Sequence, residues 1–331
     1  MKVKNTAALL LSGTMILTIL TGCGINPAGT ILAGSLSSKK EAQTEEGGID
    51  PESLAKEAAA LSEGTAAIDV DLYLDVEAPG TLEERNDYGV IDYSNTADGY
   101  ITIRCADTGK KLKAQIEGPE TTYTYTLHPE ELEAFPLSDG NGSYNFTVYE
   151  NTEGKKYAMV LAAECDVELE DEFAPYIRPN QYVNYKDAPK TREKAAELCS
   201  DTEDTTERVK IIYDYVIENI TYDDVLAETV QSGYLPDLDD VLERKSGICF
   251  DYAALMTGML RSLGIPCKLV VGYAADAYHA WINVWVEGSG WVDNIVYFDG
   301  VSWQRMDPTF ASAGASSFIG NGDNYAPKYF Y

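Results

Sequence analysis

Between residues 66 and 172, apolar and polar residues alternate in short runs that are separated by turn-forming residues. Strict alternation places every second side chain on one face, which is the pattern of a half-buried β-strand. The predicted strands are Ile68–Val76, Tyr100–Arg104, Lys111–Ile116, Thr122–Leu127, Tyr144–Tyr149 and Tyr157–Ala162. Several short strands with turn signals between them predict a small all-β, sandwich-like domain over residues 63–172.

After residue 173 the apolar residues take helical spacing instead. They recur every three or four positions after Thr205, and again from Tyr252 to Leu263, which predicts two amphipathic helices. Gly264 and Pro266 end the second helix, because glycine favours the left-handed backbone of a helix end and proline cannot extend a helix.

Two strand-like segments follow that second helix. The run Leu269–Val271 is wholly apolar, and Tyr278–Val286 alternates as a strand should. Residues 173–331 therefore form a second domain in which helices precede strands, and the fold class of the chain is α+β.

Cys249 falls in the first turn of the second helix, just after Ser246 and Gly247. Backbone N–H groups and the positive end of the helix dipole favour an anion at that position, so we expect the thiol to ionise readily. A thiolate is the nucleophile of acyl-transfer chemistry. The alternative is a buried structural thiol, since cysteine is among the most buried residue types.

A thiol nucleophile needs a base, and the chain has only two histidines. His279 lies on one face of the second strand with Trp281, and Asp307 closes a later strand-like run before Pro308. The imidazole would take the thiol proton, and the carboxylate would fix the ring's tautomer and orientation. The alternatives are a hydrogen-bonded strand histidine and a turn-forming aspartate.

In this order the motifs resemble the transglutaminase-like superfamily, whose catalytic core is papain-like. The resemblance covers roughly Lys190 to Phe310. Its matching residues are Gly247, Cys249, Asp251, Tyr252, Ala253, Leu260, Arg261, Gly264, Ile265, Pro266, Gly272, Tyr273, His279, Ala280, Trp281, Asp307, Pro308, Thr309 and Phe310. It implies a papain-like, transglutaminase-like catalytic domain in which Cys249, His279 and Asp307 meet in one cleft.

The resemblance also ranks the remaining candidates. Asp251 points away from the cysteine's face as a first-turn acid, and Asp293 lacks the Asp-Pro-Thr match, so Asp307 is the expected orienter of His279. Tyr222 is implied as a second donor to the oxyanion, beside the backbone N–H of Cys249. A packed core tyrosine is the alternative for Tyr222.

The implied activity is thiol acyl transfer on an amide or peptide bond of a protein substrate, through an acyl-enzyme. Many exported bacterial members of the superfamily are suspected peptidases, so the resemblance favours hydrolysis, and transfer to an amine stays open. The alternative function is a non-catalytic module that binds a peptide or glycan at the cell surface. We expect no cofactor and no metal, and we assign His128 to a loop because no second histidine accompanies it.

The first residues predict export. Lys2 and Lys4 precede an apolar run, Ala7–Leu20, which is short for a membrane span and typical of a signal peptide over residues 1–22. The Leu-Thr-Gly-Cys ending resembles the lipobox of bacterial lipoproteins and implies a lipid on Cys23. We therefore expect a lipid-anchored protein on the outer face of the bacterial cell membrane. An ordinary cleaved signal is the alternative.

Residues 23–62 are rich in Gly, Ser, Thr, Lys and Glu, and predict a flexible tether with a short helix over Pro51–Leu61. The formal net charge of −29 excludes nucleic acid as a partner, because the surface repels phosphate. The other four cysteines, Cys105, Cys165, Cys199 and Cys267, are expected to be unpaired thiols, since no disulfide pairing follows from their spacing.

Overall fold

The structure is a computed structural model that describes residues 68–274, 276–286, 288–293, 296–298, 303–305 and 325–331. The predicted signal peptide, tether and short helix lie outside the described residues, as do Cys23 and Asp307. Among the residues described, no helix combines the length and the apolar character needed to cross a membrane.

The first part of the described chain is all β. Its strands are β1 (Glu83–Asn86), β2 (Gly89–Asp92), β3 (Tyr100–Cys105), β4 (Leu112–Glu117), β5 (Thr122–Leu127), β6 (Glu133–Pro136), β7 (Gly142–Glu153) and β8 (Lys156–Val167). They form two four-stranded antiparallel sheets with the orders β1-β2-β3-β6 and β5-β4-β7-β8. The predicted all-β region is therefore present.

The alternation in the sequence explains which faces of these sheets are buried. In β4, Leu112, Ala114 and Ile116 point into the core, while the residues between them are more exposed. The two sheets meet through aromatic side chains, as where the rings of Tyr125 and Phe135 lie 4.6 Å apart. Burying one face of each sheet against the other is how a β-sandwich forms its core.

The predicted strand Ile68–Val76 is wrong, since the segment is irregular and joins neither sheet. Its alternation placed Leu72 and Leu74 inside, yet Leu72 is 79% exposed and Leu74 is 48% exposed. Tyr73 is the residue that packs inward, against the ring of Tyr185 at 5.5 Å. An alternating pattern gives no information about a hydrogen-bonding partner strand, and this segment lacks one.

The second part of the described chain begins with helices. After a 3₁₀ turn at Ala174–Tyr176 they are α1 (Pro189–Leu198), α2 (Thr205–Asn219), α3 (Asp224–Thr229), α4 (Leu238–Arg244) and α5 (Cys249–Ser262). Asp204 caps α2 by accepting the Glu207 N–H at 2.8 Å. The end of α5 agrees with the sequence, because Gly264 has a φ of +76°.

The strands of this second part complete an α+β fold. They are β9 (Thr221–Tyr222), β10 (Ser246–Gly247), β11 (Cys267–Ala274), β12 (Ala277–Val286), β13 (Gly290–Val292), β14 (Val296–Phe298), β15 (Trp303–Arg305) and β16 (Tyr325–Phe330). The main antiparallel sheet has the order β13-β12-β11-β16, and α5 packs against β11 and β12. The buried residues of α5, β11 and β12 therefore share one hydrophobic core.

Aromatic rings join the all-β part to the helical part. Tyr182 follows the 3₁₀ turn and contacts Tyr331 at 4.6 Å between ring centroids, while Tyr331 contacts Tyr125 of β5 at 5.9 Å. Tyr182 also packs edge-on against Phe250, the second residue of α5, at 5.4 Å. Edge-to-face aromatic pairs stabilise such packing beyond the area they bury. The β-rich part thus supports the start of α5.

The remaining cysteines within the described residues behave as predicted. Cys105, Cys165, Cys199 and Cys267 carry free thiols, and all but the half-buried Cys165 are buried. Burial raises the pKa of Cys105 and of Cys199 to about 11, and that of Cys267 to about 12. These groups therefore stay protonated and unreactive near neutral pH.

Candidate active site

Helix α5 begins at Cys249, as the sequence predicts. Ile248 precedes it with extended backbone (φ −93°, ψ 176°), so the helical turn starts at the cysteine itself. Cys249 is buried, with 7% of its surface exposed. The positive end of the helix dipole lies at this position and favours a thiolate. A cysteine at a helix start is therefore a candidate nucleophile.

A buried carboxylate fixes the first turn of α5. Asp251 is fully buried, and its Oδ2 accepts the Ile248 N–H at 2.8 Å, which satisfies a donor at the helix start. Gly247 allows this close approach, because a β-carbon there would lie 2.6 Å from the Asp251 β-carbon. The sequence classed Asp251 as a first-turn acid turned away from the cysteine's face, and the structure gives it this capping role.

Two further side chains hold Asp251. The Tyr234 hydroxyl donates to Asp251 Oδ1 at 2.7 Å, and Arg244 Nη2 lies 3.3 Å from Oδ2. Burial raises the pKa of Asp251, while the hydrogen bonds from Tyr234 and from the Ile248 N–H act in the opposite direction. Sequence reasoning missed both partners, because each contact joins residues that no local pattern links.

His279 lies on β12, the strand that packs against α5, and it is 3% exposed. Its ring stacks at 6.3 Å from that of Trp281, which confirms that these two residues share a face of the strand. Tyr325 of β16 contacts both rings, at 6.5 Å from His279 and 5.1 Å from Trp281. Aromatic packing thus restricts the orientation of the imidazole.

Tyr278 is the second residue of β12 and directly precedes His279. It is half-buried, and its pKa is raised to about 12 by burial first and then by the nearby groups of Tyr329, Tyr273 and Cys249. The Tyr278 hydroxyl therefore stays protonated near neutral pH.

Tyr222 lies next to the start of the cysteine helix. In the two-stranded parallel sheet, β9 pairs with β10 so that Tyr222 is opposite Gly247. The Asp223 N–H donates to the Gly247 carbonyl at 3.0 Å, which ties the segment in place. Tyr222 is half-buried and packs against the core. Its implied role as an oxyanion donor stays a prediction.

The structure therefore gives positions for three of the predicted site residues, Cys249, His279 and Tyr222. Asp307 and the lipidation residue Cys23 lie outside the described residues, and their roles stay predictions. The rival carboxylate Asp293 is exposed and accepts a hydrogen bond from Asn283 Nδ2 at 2.8 Å.

One group of side chains is of a type that holds metal ions. His128, Glu131 and Glu133 each place one ligand atom within 4.8 Å of the others. Both oxygens of Glu133 already have partners, since the His128 ring lies at 2.9 Å, the His128 N–H at 2.9 Å and the Gln181 amide at 2.6 Å. His128 follows β5 in a loop, as predicted, and the absence of a metal role stays a prediction.

The sequence signal for this group is the spacing of His128, Glu131 and Glu133 within six residues. Gln181 could not be found in that way, because it comes from the segment that joins the two parts of the chain. Its amide also donates to the Thr126 carbonyl at 2.6 Å. We interpret the group as a hydrogen-bonded brace between the all-β part and the helical part.

Two curated relatives match parts of the chain. The first is the protein YebA of Bacillus subtilis (strain 168), 25% identical over 206 residues, or 55% of this chain and 27% of the relative. The second is a protein-glutamine gamma-glutamyltransferase of Pseudomonas aeruginosa, 32% identical over 92 residues, or 23% of this chain and 12% of the relative. The chain thus spans a minor part of the length of each.

Solved structures of similar proteins were also found. A putative cysteine protease from Cytophaga hutchinsonii gives a TM-score of 0.38 at 18% identity, over 70% of this chain and 79% of that one. The periplasmic domain of TgpA from Pseudomonas aeruginosa gives 0.31 at 16% identity, over 66% of this chain and 93% of that one.

The family comparison covers the region described above. Residues 192–308 match the model of the transglutaminase-like superfamily. The matched range runs from α1 to the strands that follow β12, and it includes Cys249, His279 and Asp307. The domain at residues 192–308 therefore belongs to the transglutaminase-like superfamily.

Proposed function

We propose that this chain is a thiol enzyme that acts on amide or peptide bonds through an acyl-enzyme on Cys249. The observation that carries the proposal is the position of Cys249, buried at the first residue of α5, the helix that packs against the strand of His279. A helix start favours the thiolate, and an adjacent imidazole is the base that such nucleophiles use.

The chemistry divides one difficult step into two. The Cys249 sulfur attacks the carbonyl carbon, the C–N bond breaks, and the His279 imidazolium gives its proton to the leaving amine. Water then attacks the thioester while His279 takes one of its protons, the C–S bond breaks so that Cys249 is released as the thiolate, and the acid product leaves. Asp307 orients His279, and the Tyr222 hydroxyl with the Cys249 N–H stabilises the oxyanion.

The acceptor in the second step decides between a protease or amidase and a transglutaminase. We propose hydrolysis of peptide or protein substrates as the main reaction. The Pseudomonas relative, which is named for transfer from glutamine, makes the glutamine carboxamide the second substrate to test. One assay separates these outcomes: a glutamine-containing protein is incubated with and without a primary amine, and the formation of new peptide termini, ammonia release and amine incorporation are compared.

Cys249→Ala tests the nucleophile against Cys165→Ala, which removes the half-buried thiol of β8. We expect Cys249→Ala to abolish turnover of casein peptides and of the glutamine-containing protein, and Cys165→Ala to retain it. Turnover that survives in Cys249→Ala would reject Cys249 as the nucleophile. A wild type inactive on all substrates, yet binding peptide or glycan with unchanged affinity in Cys249→Ala, would favour the binding module.

Export and lipid anchoring complete the proposed function and rest on the sequence alone. The apolar run Ala7–Leu20 and the Leu-Thr-Gly-Cys ending support a lipid on Cys23 and a location on the outer face of the bacterial cell membrane. Labelling with a radioactive fatty acid tests this. We expect label on the wild type and none on Cys23→Ala. Label that persists in the variant would contradict a lipid on Cys23.

A further inference from the structure

The first turn of α5 contains an electrostatic conflict. Asp251 is fully buried, lies two residues after Cys249, and accepts the Ile248 N–H at 2.8 Å. This bond holds the start of the helix in place. A buried carboxylate in the same helical turn as the cysteine nevertheless disfavours a second negative charge there, since like charges in a buried site oppose each other's ionisation.

The structure supplies a countercharge for Asp251. Arg244, the last residue of α4, directs its guanidinium at the carboxylate, with Nη2 at 3.3 Å from Asp251 Oδ2 and at 3.2 Å from the Tyr234 hydroxyl. The same side chain donates through Nε to the Ser246 carbonyl at 2.7 Å, three residues before the cysteine. One arginine thus contacts both the capping acid and the strand that leads into α5.

We propose that Tyr234 and Arg244 hold and neutralise the Asp251 carboxylate, so that it fixes the first turn of α5 without opposing the negative charge on Cys249. The inference rests on the proposed function, in which Cys249 reacts as a thiolate. Tyr234 and Arg244 are positioning residues in this account, because they act on the nucleophile through Asp251 and touch no reacting atom.

The charges near Asp251 and Cys249 determine how strongly the loss of the Arg244 guanidinium would be felt. Asp223, at the N-cap of α3, adds a second negative charge that faces Asp251. Asp240, one turn earlier in α4, shares Arg244 through a contact of 3.3 Å to Nη1. From β12, Tyr278 contributes a hydroxyl that is neutral near pH 7, because burial raises its pKa to about 12, and His279 follows it. Apart from His279, these neighbours are acidic or neutral near pH 7, so losing the guanidinium leaves the sulfur in a more negative field.

The test measures the pH dependence of Cys249 alkylation by iodoacetamide in the full chain, followed by mass spectrometry of the peptide that contains Cys249. Arg244→Gln removes the charge, whereas Arg244→Lys keeps the charge and loses the planar fork of donors. We expect Arg244→Gln to raise the Cys249 pKa by about one unit, a tenfold slower reaction at a pH below both values. Arg244→Lys should titrate within a few tenths of a unit of the wild type.

Further variants separate charge from structure. Tyr234→Phe removes the 2.7 Å hydrogen bond without changing charge and should raise the pKa by less than Arg244→Gln. Adding Asp251→Asn to Arg244→Gln should return the pKa toward the wild-type value. Arg208→Gln, which removes an arginine of α2 bonded to the Thr202 carbonyl, is the matched control and should titrate as the wild type does.

The outcomes distinguish this inference from the proposed function. An ordinary cysteine titration near pH 8.5 in the wild type would contradict the thiolate mechanism itself. A low Cys249 pKa in the wild type that Arg244→Gln leaves unchanged would overturn the inference without contradicting the proposed function. Equal shifts in Arg244→Gln and Arg244→Lys would also overturn it, because the fork of donors, and not the charge, would then be responsible.

Discussion

Gly272 lies directly opposite His279 across the β11–β12 ladder. A β-carbon on Gly272 would come within 2.2 Å of the Ala326 carbonyl oxygen and within 2.8 Å of the Trp281 ring. Because this carbonyl oxygen belongs to the backbone of β16, the strand itself would have to move to make room. The surroundings of His279 therefore depend on a position that carries no side chain.

Gly272→Ala should consequently destabilise the fold. Overpacking of this kind costs roughly 2 kcal/mol, and we expect a matching decrease in the free energy of unfolding measured with guanidinium chloride. Gly258→Ala is the matched control, since its β-carbon meets the end of the Leu238 side chain at 2.6 Å and lies 3.4 Å from its next neighbour, and the change gains helix propensity. Equal stability of the two variants would contradict the account of the β16 contact.

Arg261 ties the end of α5 to the main sheet. It is buried, and its guanidinium donates to the Cys267 carbonyl at 2.7 Å, to that of Tyr331 at 2.7 Å and to that of Arg178 at 2.8 Å. Arg261→Met removes the guanidinium donor from all three carbonyl groups, and we expect a loss of roughly 3 kcal/mol in the free energy of unfolding.

Arg208→Met is the control for Arg261→Met, because Arg208 makes a hydrogen bond of 2.8 Å to the Thr202 carbonyl near the surface. It should cost about 1 kcal/mol or less. Urea titration followed by circular dichroism measures both variants. If Arg261→Met unfolds at the same urea concentration as the control, Arg261 does not join α5 to the sheet.

Alkaline pH should unfold the protein through its buried tyrosines. Burial raises the pKa of Tyr278 and of Tyr234 to about 12, and raises those of Tyr125 and Tyr331 well above the ordinary value near 10. The folded state therefore holds these protons more tightly than the unfolded state. Their contribution to stability is complete below pH 10 and is lost as the pH rises through the folded values.

These tyrosines should leave the guanidinium chloride concentration at the midpoint of unfolding nearly unchanged between about pH 7 and 9. They should lower it between about pH 10 and 12. Absorbance at 295 nm, which follows tyrosine ionisation, should increase together with unfolding. Full ionisation of the tyrosines at pH 10 in a protein that remains folded would contradict their burial.

The sequence was sufficient where a property depends on local periodicity. The alternation of residues 278–286 predicted β12 and placed His279 and Trp281 on one face, and the helical stripe and Gly264 predicted the extent of α5. Both succeed because side-chain direction follows from backbone geometry alone. The α+β class and the all-β region followed from the same periodicities.

The sequence was insufficient where a property depends on contacts between distant segments. The alternation of Ile68–Val76 predicted a strand, but Tyr73 packs against Tyr185 in the second part of the chain, which no local pattern indicates. Tyr234, which lies in a loop 17 residues before Asp251, and Arg244, which lies in another helix 7 residues before it, both contact Asp251. Tertiary packing decides such cases over local propensity.

The central claim is that Cys249 forms a thioester with the acyl part of its substrate. The most direct measurement is peptide mass mapping after incubation with a p-nitrophenyl ester of an acylated dipeptide and rapid acid quenching, with His279→Ala in parallel. The account predicts an acyl group on the Cys249 peptide of the wild type and much slower acylation of the variant. No adduct on Cys249, or equal acylation of both proteins, would contradict it.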